Sequence, residues 1–376
     1  MIAALVAFGV VLAGGLTLTG VAAATNESAT IGLKMSPLQG PLYKEAPRPV
    51  NWQVQSTIST PDPTIQPLKR SDLTLPDGSL SFNPDPDMPV CPDSAVNESS
   101  VSVEVPDIIA ACPDSIIGNG LATFALAQQT SLGRDGVMIV FNGGFQKSGP
   151  LKGRPRIKVY AYSYDTQVGV YTEAALSKQG DLNFFIPQLT ADSSVTSLSL
   201  NIPGEPIDIF IASKNETVTL PAGQDPDYAQ ATCSSGSWAY GADFELGDRD
   251  TIGNPTSPTT FLSEFAVEPC VGLAGKAKFA GPKAKGAKKT KRGKKTRYKV
   301  KVKNVGTATV KNAKVLASGK GVKGKKKASI GNLSPGQSKT VKLKLKFTKQ
   351  GKIKTKFKAD AKKTKTRTSV KRIEVR

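Results

Sequence analysis

Three acidic side chains that lie close together in the sequence are the first candidates for chemistry. Glu245, Asp248 and Asp250 lie within the segment Glu-Leu-Gly-Asp-Arg-Asp. Two such carboxylates could act as acid and base in glycoside hydrolysis, and a set of them could bind calcium through oxygen ligands. Asp and Gly are also favoured in tight turns for backbone reasons, and the spaced ligand loop of a calcium site is missing. The segment therefore predicts a hairpin turn, and no metal ligand is assigned.

Most other catalytic machinery is excluded by residue types that are missing or misplaced. The 376 residues include no histidine, which excludes Ser-His-Asp and Cys-His catalysis and histidine-ligated zinc. The run from Gly319 to Lys325 has the glycine and lysine spacing of a phosphate-binding loop, but Lys326 stands where Ser or Thr must bind magnesium. We therefore predict a protein that is not an enzyme and has no cofactor.

Positive side chains give the strongest functional signal. Residues 271–376 carry 37 Lys and Arg against 2 Asp and Glu, whereas residues 1–270 carry 14 against 28. In the basic part, apolar residues and lysines alternate with period two, which is typical of strands with one buried and one solvated face. We predict that the lysines of two such strands bind a polyanion: Lys299, Lys301, Lys303, Lys342, Lys344 and Lys346.

The preference for lysine over arginine limits the chemistry of this ligand. Residues 271–376 contain 32 Lys and 5 Arg, and Arg is favoured where planar, bidentate recognition of an anion matters. The composition therefore indicates diffuse attraction to an anionic cell-wall polymer, an acidic polysaccharide or lipid headgroups. Nucleic acid is disfavoured, because the few aromatic residues of this part lie mostly at predicted inward positions and offer no stacking platform.

The lysines could also serve one of two roles that involve no external ligand. Exposed lysines can keep the edges of a sheet from pairing with other chains and can maintain solubility. Alternatively, the negative first part of the chain could dock on the positive second part and neutralise it within one molecule.

Cysteine usage and the N-terminus both indicate export. Residues 1–24 are uncharged, largely apolar and end in three alanines, as in a secretion signal, although a basic start is missing and an uncleaved membrane anchor is the alternative. An oxidising compartment favours disulfides between the four cysteines. We predict the pairs Cys91–Cys112 and Cys233–Cys270, because they close the shorter loops. The protein is expected to be secreted or associated with the cell envelope, without a membrane span once the signal is cleaved.

The pattern of strand and turn signals predicts an all-β chain of two β-sandwich domains. Residues 25–49 are expected to form an extended leader, and residues 50–270 the first sandwich, with one short helix at Thr172 to Lys178. Residues 271–296 are rich in Lys, Gly and Ala and predict a flexible linker. Residues 297–376 have the length of an immunoglobulin-like domain.

The second domain also carries a recognisable motif. Asn304-Val305-Gly306 follows one lysine-rich strand, and the run Leu-Ser-Pro-Gly-Gln-Ser-Lys-Thr-Val, from Leu333, leads into the next. These residues resemble the bacterial cell-adhesion-related domain, CARDB, which implies an immunoglobulin-like β-sandwich and an adhesion-type role without shared catalytic residues. The lysine content is far above what the resemblance requires. More faintly, the cysteines and Trp238 of the first domain resemble those of uncharacterised exported bacterial β-sandwich proteins, which implies architecture only.

These observations predict an exported, non-catalytic cell-envelope or adhesion-type protein whose second domain binds anionic polymers or lipids. Two alternatives stay open: an extracytoplasmic glycan-active enzyme with paired carboxylates, and a purely structural secreted scaffold.

Overall fold

The chain folds into two domains built almost entirely of β-strands, as the sequence predicts. The computed structural model describes residues 27–96, 103–126, 129–186, 194–249 and 255–376. The predicted secretion signal, residues 1–24, lies outside the described residues. In the described part, alternating apolar residues separated by frequent turns favour antiparallel strand pairs over helices.

The described residues of the first domain form strands β1 to β15, two short α-helices and one 3-10 turn at Pro113–Ser115. In chain order they are β1 (Ser28–Pro37), β2 (Arg48–Ser59), β3 (Leu68–Thr74), β4 (Leu80–Phe82), α1 (Asp93–Val96), α2 (Val105–Ala111), β5 (Ile116–Leu126), β6 (Gln129–Phe145), β7 (Pro155–Ser163), β8 (Val168–Ala175), β9 (Asp181–Phe185), β10 (Ser194–Ile202), β11 (Ile207–Ile211), β12 (Glu216–Leu220), β13 (Ala229–Ala231), β14 (Ser237–Arg249) and β15 (Pro255–Pro269).

Two sheets of this domain pack face to face. The larger one has the order β4-β13-β2-β10-β5-β6-β7-β8, with β1 also paired to β2, and the smaller one has the order β15-β14-β3-β9. Their inner faces share one hydrophobic core, to which Trp52 and Val54 contribute from the larger sheet and Leu182 and Phe244 from the smaller. The domain is therefore a β-sandwich, which agrees with the predicted fold class.

A third layer covers part of the outer face of the larger sheet. Helices α1 and α2 and the hairpin of β11 and β12 lie over β6 and β7 and enclose a second core. Ile139 and Tyr160 of the sheet contribute to this core, together with Ile108 of α2 and Val218 of the hairpin. This layer is not predicted from the sequence.

The first domain also begins earlier than predicted. β1 lies in the predicted leader, but it pairs with β2 over its whole length, and its Leu33 and Met35 are buried in the sandwich core. Where a helix was expected at Thr172 to Lys178, the chain continues β8, whose pairing with β7 outweighs a weak helical preference. Both corrections have the same cause, because tertiary pairing overrides local composition.

The second domain contains the remaining strands of the described chain. They are β16 (Lys283–Lys285), β17 (Lys289–Thr290), β18 (Lys295–Lys303), β19 (Val310–Ser318), β20 (Val322–Lys325), β21 (Lys327–Leu333), β22 (Ser338–Phe347), β23 (Gly351–Ala361) and β24 (Thr364–Val375).

These strands form two facing sheets with an immunoglobulin-like appearance. The first has the order β16-β18-β22-β20 and the second the order β17-β24-β23-β19-β21. The apolar positions of the period-two pattern meet between the sheets, where Tyr298 and Val300 pack with Leu343, Phe347 and Phe357. The alternation seen in the sequence thus predicts this core correctly.

The segment expected to be a flexible linker, residues 271–296, is instead part of the second domain over most of its length. Phe279 is buried in the core of that domain, β16 pairs with β18, and β17 pairs with β24. In β16 the small Ala284 lies between the exposed Lys283 and Lys285, so the backbone can pair with β18 while both lysine side chains stay in water. This corrects the linker prediction.

Candidate functional site

The six lysines predicted to bind a polyanion come together on the outer face of one sheet. Strands β18 and β22 are antiparallel neighbours, and Lys299 lies directly opposite Lys342. Because alternate side chains point to opposite faces of a sheet, burying Tyr298 and Leu343 leaves the lysines of both strands exposed.

The two outer strands of the same sheet extend this surface. β16 places Lys283 and Lys285 beside β18, and β20 places Lys323 and Lys325 beside β22. We call the exposed cations that point away from the core on these four strands the lysine face, which comprises Lys283, Lys285, Lys295, Arg297, Lys299, Lys301, Lys303, Lys323, Lys325, Lys342, Lys344 and Lys346.

The lysine face is a grid of rows that cross the sheet. In one row Lys285, Lys299 and Lys342 lie side by side, and in the next Arg297 lies opposite Lys344. Neighbouring strands are about 4.8 Å apart, and same-face residues along a strand repeat about every 7 Å. Like charges that lie directly opposite destabilise a sheet. The face therefore combines a high density of positive charge with a cost in folding free energy.

No carboxylate neutralises this grid among the described residues. The two acidic residues of the second domain, Asp360 and Glu374, lie on β23 and β24 of the other sheet. Asp360 pairs with Lys314 at 3.1 Å, and Glu374 accepts a hydrogen bond from Arg376 at 2.9 Å, which lowers the pKa of Glu374. The opposite sheet is thus partly neutralised, whereas the lysine face is not.

Asn304, in the Asn-x-Gly motif, holds the end of β18 in place. Its side chain is fully buried, and its Nδ2 donates hydrogen bonds to the carbonyl oxygens of Ala308 at 2.9 Å and Leu333 at 3.0 Å. Its Oδ1 accepts a hydrogen bond from the backbone N–H of Gly306 at 2.9 Å. A side chain at Gly306 would collide with the carbonyl oxygen of Lys276, so only glycine fits there. The motif therefore has a structural role, which is to join β18 to β21.

The first domain contacts the second at a junction away from the lysine face. Tyr43 forms an isolated bridge with Leu273, and a carboxylate oxygen of Glu45 accepts a hydrogen bond from the backbone N–H of Thr309 at 2.7 Å. Hydrogen bonding from the side chain of Thr309, together with this backbone hydrogen bond, lowers the pKa of Glu45. None of these residues belongs to the lysine face, so the alternative that the acidic part docks on those lysines finds no support at this junction.

Two disulfides crosslink the first domain, one on each side of its larger sheet. The structure joins Cys91 to Cys112 and Cys233 to Cys270, the connectivity predicted from the shorter loops. The first bond lies in the third layer, beside α2. The second ends just before the junction, and Gly272 packs directly against the carbonyl of Cys233.

The acidic candidates form no recognisable catalytic or metal site in the described part. Glu245 lies half-buried on β14, opposite Arg70 of β3, and the side chains of Asp248 and Asp250 lie outside what the structure describes. Within the described residues, no three Asp, Glu or Cys side chains are grouped as a metal would require. The run from Gly319 to Lys325 forms a turn and β20, whereas a phosphate-binding loop leads into a helix.

Two further features bear on the class of protein. In the part of the chain that the structure describes, no helix is both long and apolar enough to cross a bilayer. The two facing antiparallel sheets around one core, closed by the Asn304 turn, define the second domain as an immunoglobulin-like β-sandwich.

Comparison with known families identifies this second domain as a CARDB domain. The CARDB family model matches residues 282–368, so the match includes β16 and begins before the predicted boundary at residue 297. This confirms the resemblance that the sequence motif suggested. No curated protein matches the chain. The resemblance of the first domain to exported β-sandwich proteins stays a prediction.

Solved structures give only distant likenesses. A transglutaminase from red sea bream is 9% identical with a TM-score of 0.23, and the aligned region covers 92% of this chain and 31% of that one. Trypsin-activated alpha-2-macroglobulin from Escherichia coli is 8% identical with a TM-score of 0.20, and the alignment covers 94% of this chain and 42% of that one. This chain thus spans less than half of either protein, and neither likeness supports a shared function.

Proposed function

We propose that this protein is an exported, non-catalytic cell-surface protein whose CARDB domain binds an anionic polymer or lipid surface through the lysine face. The observation that carries the proposal is a sheet face with twelve exposed cations and no carboxylate partner among the described residues. CARDB is a domain related to cell adhesion, and the two disulfides fit an oxidising, extracytoplasmic location.

The position of the lysines argues against edge protection as their main role. Charges that prevent edge-to-edge pairing belong on the outer strands of a sheet. Here β16 and β20 are the outer strands, yet Lys299, Lys342 and Lys344 lie on the two central strands, which are already paired on both sides. Edge protection therefore explains only part of the lysine face.

The flatness of the surface indicates what kind of anion it binds. A small anion needs several donors that converge on one point, as in a built phosphate site. The lysine face instead spreads its positive groups across four neighbouring strands of one sheet. Such a surface suits an extended polyanion or an anionic membrane, where each nearby lysine contributes about 1 kcal/mol.

The experiment that tests the proposal measures binding of the purified chain to anionic and neutral probes. The anionic probes are polyphosphate, polygalacturonate and vesicles containing phosphatidylglycerol, and the neutral ones are dextran and phosphatidylcholine vesicles. We expect binding to at least one anionic probe, with an affinity that falls steeply as NaCl rises from about 0.05 to 0.5 M. Equal binding to neutral probes, or affinity that does not change with salt, would contradict the proposal.

The two anionic sources are separated by the same measurement. Binding to the soluble polymers without binding to anionic vesicles assigns the lysine face to a wall polymer or acidic polysaccharide. The reverse result assigns it to lipid headgroups. Failure to bind any of the anionic probes at the lowest salt concentration would leave the second domain as a structural module.

A further inference from the structure

A second surface with different chemistry lies in the first domain, in a cleft beside the hairpin of β11 and β12. We propose that this cleft binds a neutral oligosaccharide. The floor of the cleft is the outer face of β2, β10 and β5, and one wall is formed by β11 and the residues just after it. The cleft encloses about 630 Å³, within the range typical of small-molecule sites.

The floor of the cleft presents uncharged hydrogen-bonding groups in two neighbouring rows. In one row Gln55 and Ser199 lie opposite each other, and in the next Thr57 lies opposite Ser197. These side chains alternate with buried ones along β2, so the pleat directs them away from the sandwich core and towards the cleft. Amide and hydroxyl groups can both donate and accept, which is what a ligand rich in hydroxyl groups requires.

The rim of the cleft adds exposed apolar and aromatic surface. Phe210, in the wall, is 63% exposed, and Leu121, at the edge of the floor, is 40% exposed. An aromatic ring held at the side of a polar floor can stack on the C–H face of a sugar ring while the floor binds its hydroxyl groups.

The charges around the cleft select against ionic ligands. The residues that line the cleft include no lysine or arginine of the described chain. Lys214 comes next to this lining, with its Nζ 5.6 Å from the ring centroid of Tyr164, but it is paired with Glu104. The carboxylate in the lining, on Asp165, already takes part in another interaction. The first 270 residues carry 14 cations against 28 anions, a net charge of −14, which repels anions. The strands of the floor are paired on both sides, so a peptide cannot add to them as an extra strand. A neutral saccharide therefore fits the floor of this cleft better than an anionic polymer. Among the described residues β11 pairs only with β12, so a peptide that adds to β11 in the wall is an alternative that the test below includes.

The test is titration calorimetry of the full chain with chitotetraose, cellotetraose and maltotetraose in about 0.5 M NaCl, where the lysine face is screened. We expect binding of at least one of these neutral probes. The variant F210A should weaken it at least tenfold, and S199W, which fills the cleft from an outward position, should abolish it. The matched control is F265A, because Phe265 is 71% exposed on β15 of the opposite sheet and should not affect binding.

The inference is overturned if none of the three probes binds at about 10 mM. It is also overturned if F265A weakens binding as much as F210A, or if tetragalacturonate or a neutral tetrapeptide binds more tightly than every neutral saccharide. None of these results depends on whether the lysine face binds a polyanion.

Discussion

Neutralising three lysines on one face of the second domain tests the proposed function most directly. The variant Lys299→Gln/Lys342→Gln/Lys344→Gln removes three charges from the two central strands of the lysine face. The matched control is Lys352→Gln/Lys354→Gln/Lys356→Gln on β23, whose side chains are also exposed but lie on the opposite sheet. Both variants lower the net charge by the same amount, so a difference between them reports on the face alone.

The expected difference follows from the spacing of the two faces. Packed sheets lie about 10 Å apart, so the outer faces are separated by more than the Debye length of about 8 Å at physiological ionic strength. Charges on β23 therefore contribute little to an anionic surface that contacts the lysine face. At about 1 kcal/mol for each lysine at the surface, the first variant should lose about 3 kcal/mol, or about 100-fold in affinity. The control should lose less than about tenfold.

The assay is binding to the anionic probe with the highest affinity, repeated over a series of salt concentrations. The slope of log affinity against log salt should become shallower by about two to three in the lysine-face variant, since fewer counterions are released. Lys299→Arg/Lys342→Arg/Lys344→Arg should retain the affinity of the unmodified chain, because diffuse attraction depends on charge and not on guanidinium geometry. Equal losses in the lysine-face variant and the β23 control would refute the assignment to this face, as would a loss in the arginine variant as large as that caused by glutamine.

Other predictions concern the parts that hold the two domains in shape. Cys233→Ser/Cys270→Ser removes the disulfide between cysteines that are 37 residues apart in sequence, and it should lower the free energy of unfolding by about 4 kcal/mol in non-reducing denaturant titrations. An unchanged midpoint would contradict this. Asn304→Ala should cost about 3 to 5 kcal/mol in the same assay, since two buried carbonyls lose their donor, and a loss under about 1 kcal/mol would oppose the assigned role. Asp93 pairs with the fully buried Lys158, which lowers the pKa of Asp93 below its ordinary value. The contribution of this pair to stability should be complete above about pH 5 and disappear as the pH falls through that lowered pKa. In thermal melts Lys158→Met should reduce this acid-sensitive step without removing it, because Arg156 still pairs with Asp93 at 3.6 Å, and an unchanged step would contradict the assignment.

The second domain is the part that sequence reasoning predicts best. Strict alternation of Val300 and Val302 with Lys299 and Lys301 determines both the core side and the solvent side of β18, because a strand with one buried face has only one compatible arrangement. The turn of the Asn-x-Gly motif also has a local cause, since the Oδ1 of Asn304 accepts a hydrogen bond from the backbone N–H of Gly306, two residues further on. Patterns with local causes can be read from the sequence.

Features that depend on distant segments could not be predicted in the same way. β16 is too short and too polar to show an alternating pattern, and only its pairing with β18 makes it a strand. The cleft in the first domain combines Gln55, Leu121 and Ser199, which lie on three strands far apart in sequence. Each of these residues is ordinary for an exposed strand position, so no local signal marks them. Only the order of the strands brings them together.

The two candidate surfaces are suited to different ligands for the same physical reason. The lysine face gains affinity from many weak, long-range attractions and so depends on ionic strength, whereas the cleft depends on short-range hydrogen bonds and stacking and does not. A chain that uses both could hold an anionic surface loosely and a neutral glycan on that surface more selectively. If so, high salt should abolish polyanion binding in the full chain and leave saccharide binding intact. A single experiment in which both activities disappear together at high salt would show that the surfaces do not act independently.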